Sequence, residues 1–210
     1  MTQAPKKDIP PLRLKPVVFL DTETTGLPEN PHAEVIEIAV VDLEGEVLMN
    51  TKVRPVYLKE ALEYDEEGTN IALKINGYNE EAWKDAPTFA ELVPQIVEVF
   101  KYKAIVGQNP NFDRTMMVRG LEKAGAEKAY RILSRHVIDT TTLAWEHLAP
   151  CGLNRLNLDA ICTFLGINLD RTERHGALAD VQACREAYRM MLRATEEQRK
   201  AWSAQAEASA

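Results

Sequence analysis

Apolar residues along this chain fall into two kinds of run, short unbroken ones and longer ones spaced at three and four. Residues 17–20 form a short apolar run ending in Asp21, the pattern of a strand buried on both faces. Residues 35–42 and 46–54 follow as second and third strands, with Leu43-Glu44-Gly45 between them as a hairpin turn, so the three are expected to pair antiparallel. Residues 56–81 carry polar and turn-forming types around Ile71, Leu73 and Ile75, which predicts a long loop with a short helix. Residues 88–100 return to helical spacing, with Pro87 where a helix start tolerates it.

From there the pattern alternates: a strand at 104–106, a helix over 113–124, a strand at 137–139 and a helix over 141–148. Such alternation implies parallel strands joined by helical crossovers. Two further helices, over 156–165 and 177–194, complete a predicted domain of residues 16–194. Residues 1–15 read as a flexible lead, and the Ala-, Glu- and Gln-rich residues 195–210 as a flexible or helical tail. No internal repeat is present. The expected fold is α/β, a five-stranded mixed sheet flanked by helices.

Composition narrows the picture without overturning it. At 210 residues and 45% hydrophobic, the chain suits one domain with a full core. A net charge of -7 argues against a broad electrostatic grip on duplex nucleic acid, but cation-binding carboxylates contribute to that acidity, so a nucleic-acid enzyme is not excluded. Cys151, Cys162 and Cys184 are odd in number and form no C-x-x-C pair, which suggests core packing rather than a zinc knuckle or disulfide framework. No apolar run reaches signal-peptide or membrane-span length, so a reducing cytoplasm, with no membrane partner, is expected.

The chemistry lies in acids at unexpected positions. Asp21 and Glu23 are two residues apart, so in extended backbone both side chains share a face and could share a cation. A lone D-x-E is ordinarily a solvated strand end; this one continues into Thr24-Thr25-Gly26-Leu27, a hydroxyl-rich turn whose glycine lets backbone approach a ligand. Asp113 falls on the apolar stripe Met117, Leu121, Ala124, and Asp180 on the stripe Ala177, Val181, Cys184, Tyr188, Met191. Asp near a helix start is usually a cap, and Asn109 and Asn111 read first as turn residues, but burying an unpaired carboxylate is costly. Five residues before Asp180 stands His175, the one histidine in such company; His32, His136 and His147 are read as structural or surface residues. All four acids lie at strand ends or helix starts, where open α/β sheets bind ligands. Gathered at one edge they would repel one another unless protonated or neutralised by cations, and oxygen ligands without thiolates favour Mg²⁺ or Mn²⁺ over zinc.

Three segments then carry a family resemblance. Asp21-Thr22-Glu23-Thr24-Thr25-Gly26, Asn109-Pro110-Asn111-Phe112-Asp113 and His175-Gly176-Ala177-Leu178-Ala179-Asp180 resemble the three motifs of the DEDD exonucleases, and the histidine is what marks the DEDDh, or DnaQ-like, branch. The resemblance is to proteins of the proofreading-subunit type and spans nearly all of the globular part. It implies an RNase H-like fold with strand order 3-2-1-4-5, and removal of nucleoside 5′-monophosphates from a 3′ end with two divalent ions, Mg²⁺ or Mn²⁺. Carried over residue by residue, Asp21, Glu23 and Asp180 would hold one ion, Asp21 and Asp113 the second, and His175 would take the proton from the attacking water. Thr24, Thr25, Leu27, Asn76 and Asn109 would contact the substrate: backbone amides around Thr24 and Thr25 at the 3′ hydroxyl, Leu27 against the last base. The stretch Ala72-Leu73-Lys74-Ile75-Asn76-Gly77-Tyr78 departs from the family, which commonly has histidine at the place of Asn76.

Single-stranded DNA is the expected partner ahead of RNA, with ribonuclease T or oligoribonuclease-like trimming as the alternative. The short tail lacks the extension by which replicative proofreading subunits engage their polymerase, so constitutive assembly is not implied, though a DNA polymerase stays a candidate partner. A catalytically silent binding module, docking through Trp83, Trp145 or the tail containing Trp202, is the rival from another class, and the intact acids and histidine argue against it. Residues 95–100 could be imagined as a clamp-binding peptide but read better as core helix.

Overall fold

The computed structural model describes residues 15–65, 71–133, 136–169 and 176–208. Its sheet comprises β1 (Val17–Thr24), β2 (Val35–Asp42), β3 (Val47–Lys52), β4 (Ala104–Gly107) and β5 (Val137–Asp139) in the order β3-β2-β1-β4-β5. β1 pairs antiparallel with β2, and β2 with β3, while β4 lies parallel to both β1 and β5. The expected fold class and strand order are those found.

Alternation along β1 sorts its side chains into two cores. Val18 and Leu20 join Ile38, Val40 and Ile105 on one face, packing on Ile96 and Phe100 of α4 (Phe89–Phe100) and on Met116, Met117 and Leu121 of α5 (Pro110–Lys123). Phe19 turns the other way with Ala39, Val41 and Val106, against Cys162 of α7 (Leu158–Leu165) and Val181 and Cys184 of α8 (Ala177–Arg193). The central strands are therefore covered on both faces, which is why they read as unbroken apolar runs. A third cluster, including Leu148, Ile161 and Met191, joins α6 (Thr140–His147) to α7 and α8. The three cysteines are buried thiols outside any disulfide.

Several boundaries differ from expectation. β1 does not end at Asp21 but runs to Thr24, because β2 continues to pair with it as far as Glu23↔Glu37 before the register shifts. The described part of 56–81 holds three short helices rather than one: α1 (Leu58–Tyr64), α2 (Ala72–Ile75) and α3 (Glu80–Trp83). α4 is capped by Thr88, whose amide and hydroxyl both bond the Glu91 carboxylate, so Pro87 precedes the cap. α5 starts at Pro110, three residues before Asp113. Ile96, Val99 and Phe100 are buried, which leaves 95–100 as core helix and not an exposed peptide.

Trp83, considered as a docking residue, is buried at the foot of α3 and donates its indole N–H to the Ile36 carbonyl at 2.7 Å. The tail forms α9 (Glu196–Ala208), with Trp202 packed against the Phe164 ring at 6.4 Å between centroids. Trp145 is the exposed tryptophan among the three, at 65%. Among the described residues, no helix is long and apolar enough to cross a membrane.

Candidate active site

Asp21 and Glu23 continue the row begun by Phe19, so both point to the α8 side of β1. There α8 brings Asp180, one turn in from Ala177 and on the same buried stripe as Val181 and Cys184. One carboxylate oxygen from each of Asp21, Glu23 and Asp180 lies within 4.8 Å of the other two. Opposite Asp21 on β2 is Ala39, whose small side chain leaves α8 room to approach.

Asp113 arrives from the opposite layer. β4 ends at Gly107, where an added Cβ would lie 3.0 Å from the Leu20 carbonyl and 3.1 Å from the Pro110 ring, so α5 can begin against the end of the sheet only because Gly107 has no side chain. Asn109 takes a left-handed turn, φ 55°, and its amide donates to Asp139 at 3.1 Å; Asp139 also caps α6 by accepting the Thr141 amide at 2.8 Å. The turn aims Asp113 inward, where its Oδ1 accepts both the amide of Thr22 at 2.9 Å and its hydroxyl at 2.8 Å. Thr22, standing between Asp21 and Glu23 but facing the α5 side, is thus the clasp between the first and second motifs. Asp113 is 3% exposed and lines, with Asp21, Thr22, Glu23, Asp180, Gln108, Asn109, Ile75 and Phe112, a cavity of about 220 Å³.

The electrostatics disfavour leaving these acids charged and unpaired. Burial pushes the Asp21 carboxyl well above the usual carboxylate range, and Asp113, Asp180, Glu23 and Glu37 push it further. Burial also raises Asp113, to about 7, even though the Thr22 hydroxyl and amide pull it down. Such acids are either protonated or neutralised by cations. Oxygen donors alone, from three side chains converging on one point, fit a hard divalent ion, and Asp113 in the same cavity supplies a fourth carboxylate.

The remaining predicted residues divide. Thr24 is buried and its hydroxyl donates to the Gly26 carbonyl at 2.8 Å, closing the turn after β1. Thr25 is fully buried, its amide donating to the Glu34 carbonyl at 2.8 Å and its hydroxyl accepting the Glu34 amide at 2.9 Å, which closes the turn. Leu27 stands 65% exposed beyond that turn. Asn76 is buried and donates to the Thr24 carbonyl at 2.8 Å, tying α2 to the strand that carries the acids. His175 lies outside the described residues. Sequence reasoning missed Thr22, Asp139, Gln108, Ile75 and Phe112; the Gln108 amide donates to the Leu156 carbonyl at 2.6 Å and its carbonyl accepts the Thr140 hydroxyl at 2.7 Å, holding the loop before α5.

A five-stranded sheet in this order is an RNase H-like fold, and here it carries three carboxylates crowded where β1 meets α8. A family model described as exonuclease (RNase_T) matches residues 18–188. The chain is 30% identical over 184 residues to the DNA polymerase III epsilon subunit of Escherichia coli, covering 83% of this chain and 70% of that one, and 32% identical over 180 residues to that of Salmonella typhimurium, covering 83% and 70%. It is 29% identical over 180 residues to the PolC-type DNA polymerase III of Caldanaerobacter subterraneus, of which it spans only 12%. Among solved structures it superposes on E. coli ExoI bound to single-stranded DNA with a TM-score of 0.65 at 18% identity, covering 90% of this chain and 42% of that one. A 3′-exonuclease that recognises the histone mRNA stem-loop gives a TM-score of 0.59 at 15% identity, covering 84% and 63%. This chain belongs to the exonuclease family, a family of metal-dependent hydrolases, and within it is DnaQ-like.

Proposed function

We propose that the chain is a 3′-to-5′ exonuclease that trims single-stranded DNA, releasing nucleoside 5′-monophosphates by a two-metal mechanism. The observation that carries this reading is the convergence of Asp21, Glu23 and Asp180 within 4.8 Å, with Asp113 lining the same cavity. Asp21, Glu23 and Asp180 would hold one Mg²⁺ or Mn²⁺, and Asp21 with Asp113 the second. Bound there, the two ions would supply a water of lowered pKa for attack on the terminal phosphorus and stabilisation for the leaving 3′ oxygen.

The chain's own residues account for the rest. Thr22 fixes the Asp113 carboxylate, so that ligand is in place before a strand arrives. His175, placed by sequence two residues before α8, accepts the proton of the attacking water; an imidazole suits this because its pKa lies near working pH. Ile75, Phe112 and Asn109 line the cavity, and Leu27 offers an exposed apolar side chain beyond the Thr24 turn for the terminal base.

Preference for DNA is supported by the relatives at 30% and 32% identity, which are DNA polymerase subunits, and the same likeness makes a DNA polymerase a candidate partner. The fold likeness to an enzyme of histone mRNA keeps an exoribonuclease as the second reading. Matched DNA and RNA oligonucleotides, single-stranded and duplex, with paired and mismatched 3′ ends, separate the two. Faster trimming of single-stranded and mismatched DNA is expected; faster trimming of RNA would transfer the assignment.

A further inference from the structure

α8 begins differently from α3, α6 and α7. Asn79, Asp139 and Asn157 cap α3, α6 and α7 with their own side chains, accepting amides of the helix they precede. The residue before α8 is Gly176, which has no side chain to offer. Glu37, far away in sequence on β2 and half-buried on the face that α8 covers, instead brings its carboxylate to the amide of Ala177, the first residue of α8, which lowers its pKa. We propose that Glu37 is a positioning residue of the metal site, fixing the start of α8, and with it Asp180, over the strand that carries Asp21 and Glu23.

The register places Glu37 where it can do this. Glu23, Glu37 and Lys52 are direct cross-strand partners, one row across β1, β2 and β3 on the α8 side of the sheet. Lys52 lies over the Trp83 ring at 4.1 Å from its centroid, and Trp83 in turn bonds the Ile36 carbonyl of β2. A cation is thus held beside Glu37 by the same strand that carries it. Burial pushes the Glu37 carboxyl upward, with Lys52 and the Ala177 amide opposing and Asp180 adding to the rise. A half-buried acid beside Glu23 and Asp180 adds to the repulsion already present, so its retention in the apolar run Val35-Ile36-Glu37-Ile38 is explained by the helix end it holds.

Asp180 lies a single turn beyond Ala177, and ligand distances at a metal must hold within a few tenths of an ångström, so loosening that turn would disperse the trio. Removing a partner that orients a ligand typically costs about ten- to a hundredfold in metal affinity or activity.

This inference rests on the reading of Asp21, Glu23 and Asp180 as metal ligands, and the test keeps the two apart. Glu37→Ala and Glu37→Gln would be compared with wild type for Mn²⁺ binding by calorimetry, and for cleavage of a 5′-labelled single strand across a Mg²⁺ titration. Glu37→Ala should weaken Mn²⁺ binding and lower kcat by roughly ten- to a hundredfold, with KM for the strand unchanged. Glu37→Gln keeps an oxygen acceptor for the Ala177 amide and should recover most of both. Gly152→Ala, which strains the fold far from the site, should leave the Mg²⁺ midpoint where it was and so marks the effect of instability alone. Wild-type Mn²⁺ affinity in Glu37→Ala would overturn the proposal. So would equal impairment of Glu37→Gln and Glu37→Ala, which would make Glu37 a ligand rather than an anchor. Calorimetry reads the anchor even if no strand is cleaved; an inactive wild type that binds Mn²⁺ would count against the exonuclease reading alone.

Discussion

Asp113→Asn should make the metal-free protein more stable while abolishing its activity. Asp113 is buried, and its carboxyl is raised from an ordinary 3.8 to about 7, chiefly by burial. A raised acid binds its proton more tightly folded than unfolded, so between about pH 4 and 7 the folded state holds more protons and stability falls as pH rises. Above pH 7 the full penalty applies, roughly 4 kcal/mol for that difference between folded and unfolded chains. Asparagine removes the charge yet keeps Oδ1, the atom that accepts both Thr22 donors. Urea unfolding in EDTA should therefore show Asp113→Asn more stable than wild type by about 2–4 kcal/mol at pH 8, with the gap closing near pH 4. Adding Mg²⁺ or Mn²⁺ at pH 8 should raise wild type more than the variant, which keeps the Asp21, Glu23 and Asp180 trio but loses the second site. Equal stability of the two proteins at every pH in EDTA would refute the view that this acid is held in the fold against its electrostatics.

Three further outcomes are expected. Asn76→Ala removes the bond from α2 to the Thr24 carbonyl and should raise KM for the strand more than it lowers kcat, whereas Asn76→His, the residue common in the family, should restore KM; steady-state kinetics on a short single strand decides this. His175→Ala should bind Mn²⁺ like wild type but cleave slowly, with a rate that climbs between pH 7 and 9 as hydroxide replaces the base, and a flat single-turnover profile would remove histidine from the proton transfer. Gly152 sits at φ +104°, and an added Cβ would fall 2.5 Å from the Cβ of Ala206 in α9, so Gly152→Ala should cost about 1–3 kcal/mol in urea unfolding without changing activity per folded molecule.

The parts of the fold that were legible are those whose burial is uniform. β2 and β5 fall where the apolar runs placed them, and α5 and α8 follow stripes that already carried Asp113 and Asp180 inward. β1 was harder, because its last residues alternate acid with threonine: from sequence this looks like an exposed end, but in the fold β2 pairs with it and an acidic cluster replaces the core. The helices of 56–81 are too short for periodicity to register, and Trp83 looked like a docking residue until the Ile36 carbonyl claimed its N–H. Thr22 holds Asp113, and Asp139 holds the Asn109 amide, across long sequence separations that no local pattern reveals. Glu37 carried a readable signal, an acid inside a buried strand, of the same kind that singled out Asp113 and Asp180 on their helices.

The central claim is that the carboxylates at the meeting of β1 and α8 perform metal-dependent removal of nucleotides from a 3′ end. It is tested most directly by following a 5′-labelled single-stranded DNA with wild type and with Asp180→Ala, each in Mg²⁺ and in EDTA. A ladder shortening from the 3′ end with wild type in Mg²⁺ alone, no cleavage in the other three reactions, and an unfolding transition retained in Asp180→Ala are predicted. Cleavage that survives EDTA, or that Asp180→Ala performs as well as wild type, would contradict the account.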